Sequence, residues 1–332
     1  MDYKKAPIEP APFNWQRIEH QDMKVKDWIV PQWRSEKKDW EVVLLGAPLS
    51  RSSISVSGAS EFPNVFRQSW EKFSTYYIDE DIDIRELKVA DIGNVKMHFT
   101  DILRSHQHIE DAMENVAGEY PNALKVTIGG DHSVTAATIR GLKKVMPEKK
   151  IGILQLDTHL DLRSTDDHGP TNGTPIRQLI EGRVIEGKHV YNIGLHGFYN
   201  APSLIEAAND YEVHRIRLKE LRQKGIEQTI QDVLSVLMEQ VDFIYVTVDM
   251  DVLDIAYAPG VPASTPGGMR SDELFDILYE VGKCEGIGAI DFVCIDPTKD
   301  NPVQATVKTT TYAFLTFLAS FYQHQVKKRE AL

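Results

Sequence analysis

The chain has 332 residues, 42% hydrophobic, 26% charged and 9% aromatic, which excludes disordered, collagen-like and coiled-coil architectures and leaves a large core in one domain or two. Acidic residues outnumber basic ones 49 to 37, a formal charge of −12, so neither nucleic acid nor an anionic membrane surface is an expected partner. Cys284 and Cys294 are too few for a disulfide scaffold, the start MDYKKAPIEP lacks the apolar stretch of a secretory signal, and the longest greasy run, 312–322, falls short of the roughly 20 residues that span a bilayer. A cytoplasmic protein is expected, with that run as a buried helix.

Residues 1–40 are polar, carry Pro7, Pro10, Pro12 and Pro31, and hold Trp15, Trp28, Trp33 and Trp40 without a sustained period of either kind. They read as an extension that packs on the domain or on a neighbouring subunit. A regular alternation then begins. Strands are expected at 41–47, 87–91, 124–128, 151–156, 189–194, 212–216, 242–248 and 287–294, where short apolar, β-branched runs are bounded by Gly, Asp or Pro. Helices are expected between and after them, at 62–74, 101–118, 133–146, 174–181, 202–210, 226–240, 270–283 and 303–323. The alternation predicts a parallel sheet covered by helices, as either an open three-layer sandwich or a closed eight-fold barrel. No internal repeat, low-complexity tract or linker interrupts it, so 41–325 is taken as a single catalytic domain.

In both architectures chemistry sits at the carboxyl ends of the strands. Three strand ends carry unusual polar runs: GGDHS at 129–133, DTHLD at 157–161, and Asp249-Met250-Asp251. Alternation in extended chain would put Asp157, His159 and Asp161 on one side, and likewise Asp249 and Asp251. With His132 these residues offer four carboxylates and two imidazoles. Four negative charges would neutralise two divalent cations, and without metal they would repel one another. Oxygen-rich ligands with some imidazole suit manganese better than zinc. The bland reading, in which each Asp caps a turn and each His is a satisfied structural residue, is reasonable for one motif and weak for three at successive strand ends. A single zinc on Asp157, His159 and Asp249 is a second metal reading.

GGDHS (129–133), DTHLD (157–161) and VTVDMDVLDIAYAPG (246–260) resemble the three signatures of the ureohydrolase family, the arginases, agmatinases and formimidoylglutamases. The likeness extends through GAP (46–48), SGAS and FPNVFR (57–67), ADIGNV (90–95) and DPTKD (296–300). It implies an α/β fold, an α/β/α sandwich with an open eight-stranded parallel sheet, two Mn2+ per chain and hydrolysis of an amidine or guanidine C–N bond. Carried over position by position, His132 and Asp161 would bind one metal and His159 and Asp251 the other, with Asp157 and Asp249 bridging. DLR (161–163), NGTPIRQL (172–179), NIGLHGFYN (192–200) and the serine-rich 50–60 are most similar to formimidoylglutamases, which act in histidine breakdown. The expected substrate is then a small molecule, N-formimidoyl-L-glutamate, cleaved to formamide and glutamate. Its two carboxylates would need cationic partners, for which Arg51, Arg163 and Arg177 on strand-end loops are candidates, Arg163 the most favoured and Arg51 the least, with Asn172 beside them. A homo-oligomer is expected.

Two positions depart from the family. Asn172 stands where arginases and agmatinases have a His, and it cannot shuttle a proton at neutral pH. Cys294 stands where most members carry a Glu that pairs with the substrate cation, leaving Asp291 and Asp296 as the acidic neighbours. The expected chemistry is attack by a water whose pKa two divalent ions lower from about 15.7 to roughly 7 to 9. Asp249 or Asp161 would pass its proton to the leaving nitrogen. Hydrolysis of another guanidino or amidino compound, or a silent member with a binding role, are the alternatives. His106 and His108, two apart in a helical segment, read as solvated.

Overall fold

Every expected strand is present; the apolar runs are almost wholly buried except the one at 212–216, whose strand is half-buried to exposed. A computed structural model describes residues 6–16 and 22–326. Its strands are β1 (Ile8–Glu9), β2 (Val30–Pro31), β3 (Val42–Gly46), β4 (Tyr76–Tyr77), β5 (Ile82–Asp83), β6 (Val89–Val95), β7 (Leu124–Ile128), β8 (Ile151–Leu156), β9 (Val190–Leu195), β10 (His214–Arg217), β11 (Phe243–Asp249) and β12 (Ile287–Val293). The main sheet runs β1-β6-β3-β7-β12-β11-β8-β9-β10, with β2 also pairing with β6. It is parallel apart from β1, which runs antiparallel to β6. The sheet is open, with β10 at one edge and β1 and β2 lying along the other, so the barrel alternative falls. The outcome is an α/β fold with a mostly parallel sheet of ten strands rather than eight, since two short strands of the N-terminal extension join it. β4 and β5 pair separately as a small hairpin.

The helices are α1 (Val25–Trp28), α2 (Phe62–Ser69), α3 (Ile102–Glu119), α4 (Ser133–Val145), α5 (Thr165–His168), α6 (Pro175–Glu181), α7 (Pro202–Asp210), α8 (Leu218–Lys224), α9 (Ile226–Gln240), α10 (Ser271–Gly282) and α11 (Ala305–Phe321). The greasy run at 312–322 lies in and just beyond α11, where Ala313, Phe314, Phe317 and Leu318 are fully buried. Among the described residues no helix is long and apolar enough to cross a membrane.

The extension covers the β6 edge, which would otherwise expose unpaired backbone groups. Its tryptophans anchor it: Trp28 Nε1 donates to the Leu87 carbonyl at 2.9 Å, and Trp15 Nε1 to the Arg67 carbonyl at 2.8 Å. Arg67 on α2 points into β6. All five of its N–H donors are used, two on Asp91 (2.7 and 2.8 Å), and one each on Asn94 Oδ1, the Pro63 carbonyl and the Gly93 carbonyl. Arg67 and Asp91 are 2% and 1% exposed, so this forked pair is fully desolvated.

The strand order places β7, β12, β11 and β8 side by side in the middle of the sheet. Their carboxyl ends carry the three polar runs and Cys294. Residues more than a hundred positions apart therefore meet at one point.

Candidate metal centre and its pocket

Each motif turns on its own first aspartate. Asp157 Oδ1 accepts the His159 N–H at 2.6 Å, and Asp249 Oδ1 accepts the Asp251 N–H at 2.9 Å, the side-chain-to-backbone turn that Asp favours. The turn-capping and ligand readings are thus both served, one oxygen for each. The other oxygens face inward: Asp157 Oδ2 and Asp249 Oδ2 lie 3.2 and 3.1 Å from His132 Nδ1. Asp161 Oδ2 is 2.7 Å from the same nitrogen. Convergence does not come from strand alternation as expected. Asp157 already lies past the end of β8, and Asp161 has a left-handed backbone (φ 54°), a conformation that Asp tolerates better than most residues. On the far side of Asp157, His159 Nδ1 lies 2.8 Å from Asp251 Oδ2 and 3.6 Å from Asp157 Oδ1.

Two groups of donor atoms result, His132 with Asp157 and Asp249, and His159 with Asp157 and Asp251, each within 4.8 Å of one another. Asp161 adjoins the first. His132 Nδ1 and Asp161 Oδ2 are buried and make no hydrogen bond, a costly arrangement for protein atoms alone. In the bare protein the imidazoles act as counter-ions. Burial opposes the charge on His132, but Asp161, Asp157 and Asp249 outweigh it and hold the ring well above its ordinary value. Burial likewise opposes His159, which Asp251 and Asp157 push up to about 12. Asp161 is pushed up to about 6 by burial and by the charge of Asp157. Four buried carboxylates crowded together and two imidazoles with Nδ1 turned inward fit divalent cations in donor type and charge.

The surroundings fix these side chains. His132 Nε2 lies 2.9 Å from Thr247 Oγ1, setting Nδ1 toward the carboxylates. Gln155 Nε2 donates to Asp157 Oδ2 at 2.7 Å, and Thr158 N donates to Asp251 Oδ1 at 3.2 Å. Asn192 and Asn200, from the 192–200 segment, hold the carbonyls of His159 and Thr158 at 2.6 and 2.8 Å. These partners escaped the sequence reading, because a Gln or Asn gives no signal until its neighbour across the sheet is known. Gly130 is required where it stands: a Cβ there would lie 1.8 Å from the Leu49 carbonyl oxygen.

A pocket of about 100 Å³ opens above the cluster. Its floor is His159, Asp161, Asp249 and Asp251; its walls include Ile54, Ser55, Arg163, Asn172, Gly173 and Cys294. Arg163 is the one cationic side chain lining it besides the histidine, and its guanidinium has no hydrogen-bond or ion-pair partner among the described residues. The other candidate arginines lie elsewhere. Arg51 is exposed and donates to the His98 and Phe99 carbonyls. Arg177 is engaged by Glu181 at 2.7 Å and stacks over Tyr211. Asn172 serves as a clasp: its Oδ1 accepts the Ile54 N–H at 2.8 Å, tying one wall to the other.

Cys294 reaches the pocket from a left-handed backbone (φ 65°), with its N–H on the Gly130 carbonyl at 2.8 Å. Burial, then the charges of Asp249 and Asp251, push its thiol well above the usual range, so it presents a neutral group. Neither acidic neighbour replaces the missing carboxylate. Asp291 is buried behind the site against Thr135 and Tyr245, both at 2.7 Å, and Asp296 holds Gly58 N and Thr298. His106 is buried rather than solvated.

The fold and this site define the chain's class. The family model described as "Arginase family" matches residues 40–319, and the chain belongs to that family, as a hydrolase acting on amidino C–N bonds. Within it, the chain is 39% identical over 275 residues to the formimidoylglutamase of Halalkalibacterium halodurans, covering 83% of this chain and 85% of that one. The crystal structure of formimidoylglutamase from Bacillus subtilis superposes with a TM-score of 0.88 at 32% identity, covering 96% and 97% of the two chains. A Trypanosoma cruzi formiminoglutamase solved with Mn2+ shares the fold at a TM-score of 0.81 and 22% identity, covering 91% of this chain and 99% of that one.

Proposed function

We propose that this protein hydrolyses N-formimidoyl-L-glutamate to formamide and L-glutamate with two Mn2+ held by His132, Asp157, His159, Asp161, Asp249 and Asp251. The observation that carries the reading is the pocket's polarity. An acidic cluster closes one end and the Arg163 guanidinium, without a partner among the described residues, stands at the wall, which matches a substrate with an amidine at one end and carboxylates at the other. The relatives named formimidoylglutamase support the same choice. Manganese is favoured by the oxygen-rich donor set and by the Mn2+ of the Trypanosoma cruzi protein. When bound, the ions supply Lewis acidity that brings the pKa of water toward neutrality. Asp249 or Asp161 would take the proton lost by the attacking water and pass it to the leaving α-nitrogen. Asp157 keeps the two donor groups together. Asn172 acts by placing Ile54 rather than by moving a proton.

Three measurements test this. Elemental analysis after loading should give about two manganese per chain; one tightly held zinc would overturn the dinuclear reading. Formamide release from formimidoylglutamate is then compared with urea release from arginine and agmatine under identical loading. Turnover of a guanidino compound with formimidoylglutamate untouched would leave the family intact and refute the substrate. Finally, Arg163→Ala should lower kcat/KM for formimidoylglutamate about tenfold to a hundredfold, as expected for a charged hydrogen bond worth roughly 1.5 to 3 kcal/mol, with manganese content unchanged.

A further inference from the structure

His106 belongs to α3, which contributes nothing to the pocket, yet its ring is 4% exposed and wired toward it. Its Nε2 lies 2.8 Å from Ser133 Oγ, and Ser133 Oγ donates to Ser52 Oγ at 3.0 Å. A hydroxyl has one proton, so with that proton on Ser52 the imidazole N–H must be the donor to Ser133. His106 Nδ1 is buried without a partner, as suits the bare lone pair of that tautomer. Burial, reinforced by the charge of Arg140, pushes the ring down to about 4, so it is neutral and keeps this direction of donation.

Ser52 is buried in turn, 3% exposed. Its carbonyl accepts the Asn172 N–H at 3.2 Å, and the Leu49 carbonyl accepts the Asp131 N–H at 2.7 Å. With Ile54 N on Asn172 Oδ1, the segment 49–54 is held on one side by the turn after β7 and on the other by the loop before α6. The residues it delivers to the pocket are Ile54 and Ser55.

We propose that His106 is a positioning residue for substrate binding: through Ser133 and Ser52 it fixes Ile54 and Ser55 as the pocket wall that confines the substrate against Arg163. The inference rests on the formimidoylglutamase reading for the identity of that substrate. It separates binding from chemistry, because the relay meets the wall and none of the six candidate metal ligands.

The test compares His106→Ala, His106→Gln and Ser52→Ala with the unaltered protein, all loaded with manganese. His106→Ala should raise KM for formimidoylglutamate about tenfold while kcat stays within about threefold and metal content is unchanged. His106→Gln, whose amide N–H can replace the donor, should bring KM back to within about threefold of the unaltered protein. Hydrogen exchange should quicken at residues 50–56 in His106→Ala while α3 and α4 keep their protection. Ser52→Ala, which leaves both helices intact, should raise KM in the same direction. Unchanged KM and exchange at 50–56 would overturn the proposal. So would a Gln variant that behaves like Ala, or loss of protection throughout α3 and α4, which would make His106 a packing residue. If the unaltered protein does not turn over formimidoylglutamate, the substrate reading fails, while exchange at 50–56 still decides the role of His106.

Discussion

Asp249→Asn should lower kcat/KM for amidine hydrolysis by roughly three orders of magnitude or more, with manganese falling below two per chain. The substitution is selective. Asn retains an oxygen that can accept the Asp251 N–H now bound by Asp249 Oδ1 at 2.9 Å, so the turn after β11 survives. What disappears is the inward-facing charge, 3.1 Å from His132 Nδ1, one of four that would balance two divalent ions. Thermal stability measured without metal should hold or rise, since a buried carboxylate is removed from among its like. Undiminished turnover with both metals retained would refute a role for Asp249 in holding them. A large fall in metal-free stability would make Asp249 a structural aspartate instead.

Asp91→Asn should have the largest effect on stability, about 3 to 5 kcal/mol, because the Arg67 guanidinium stays buried after losing its charge partner. At an unfolding entropy of roughly 2.1 cal/mol/K per residue, that corresponds to a fall in Tm of about 4 to 7 °C for a chain of 332 residues. Removing both charges, as Arg67→Met with Asp91→Leu, should recover most of the loss, since no unpaired ion remains. If the double variant is no better than the single one, then the bonds from Arg67 to Asn94, Pro63 and Gly93 matter more than the ion pair. Activity per folded molecule should be unchanged, as the pair lies between α2 and β6, away from the pocket.

The alternation of strands and helices from residue 41 onward was readable along the chain, because hydrophobic period reports local backbone geometry and the side that is buried. The three polar runs were readable for a related reason. Asp157 with His159, and Asp249 with Asp251, are local turn motifs, so their spacing survives in one dimension. The resemblance carried by those runs led to the family, which the match over residues 40–319 bears out.

Other features depend on which strands become neighbours. His132 and Asp249 lie 117 positions apart and meet at 3.1 Å because β7 and β11 both flank β12. Arg51, Arg163 and Arg177 all read as loop cations, with Arg163 preferred for a carboxylate, and of the three Arg163 alone lines the pocket, since loop packing gave Arg51 two carbonyls and Arg177 a glutamate. His106 read as solvated because a two-residue spacing shows only that it and His108 occupy different faces of a helix. Which face is covered was decided by Ser133 and Ser52, from segments far away in sequence. The extension gave no period because it borrows its order: two-residue strands acquire partners only when β6 offers an edge. Local pattern thus determined the elements and the ligand motifs, whereas long-range packing decided which polar groups share the pocket, because a side chain's burial and partners are set by chain segments its own neighbours in sequence do not specify.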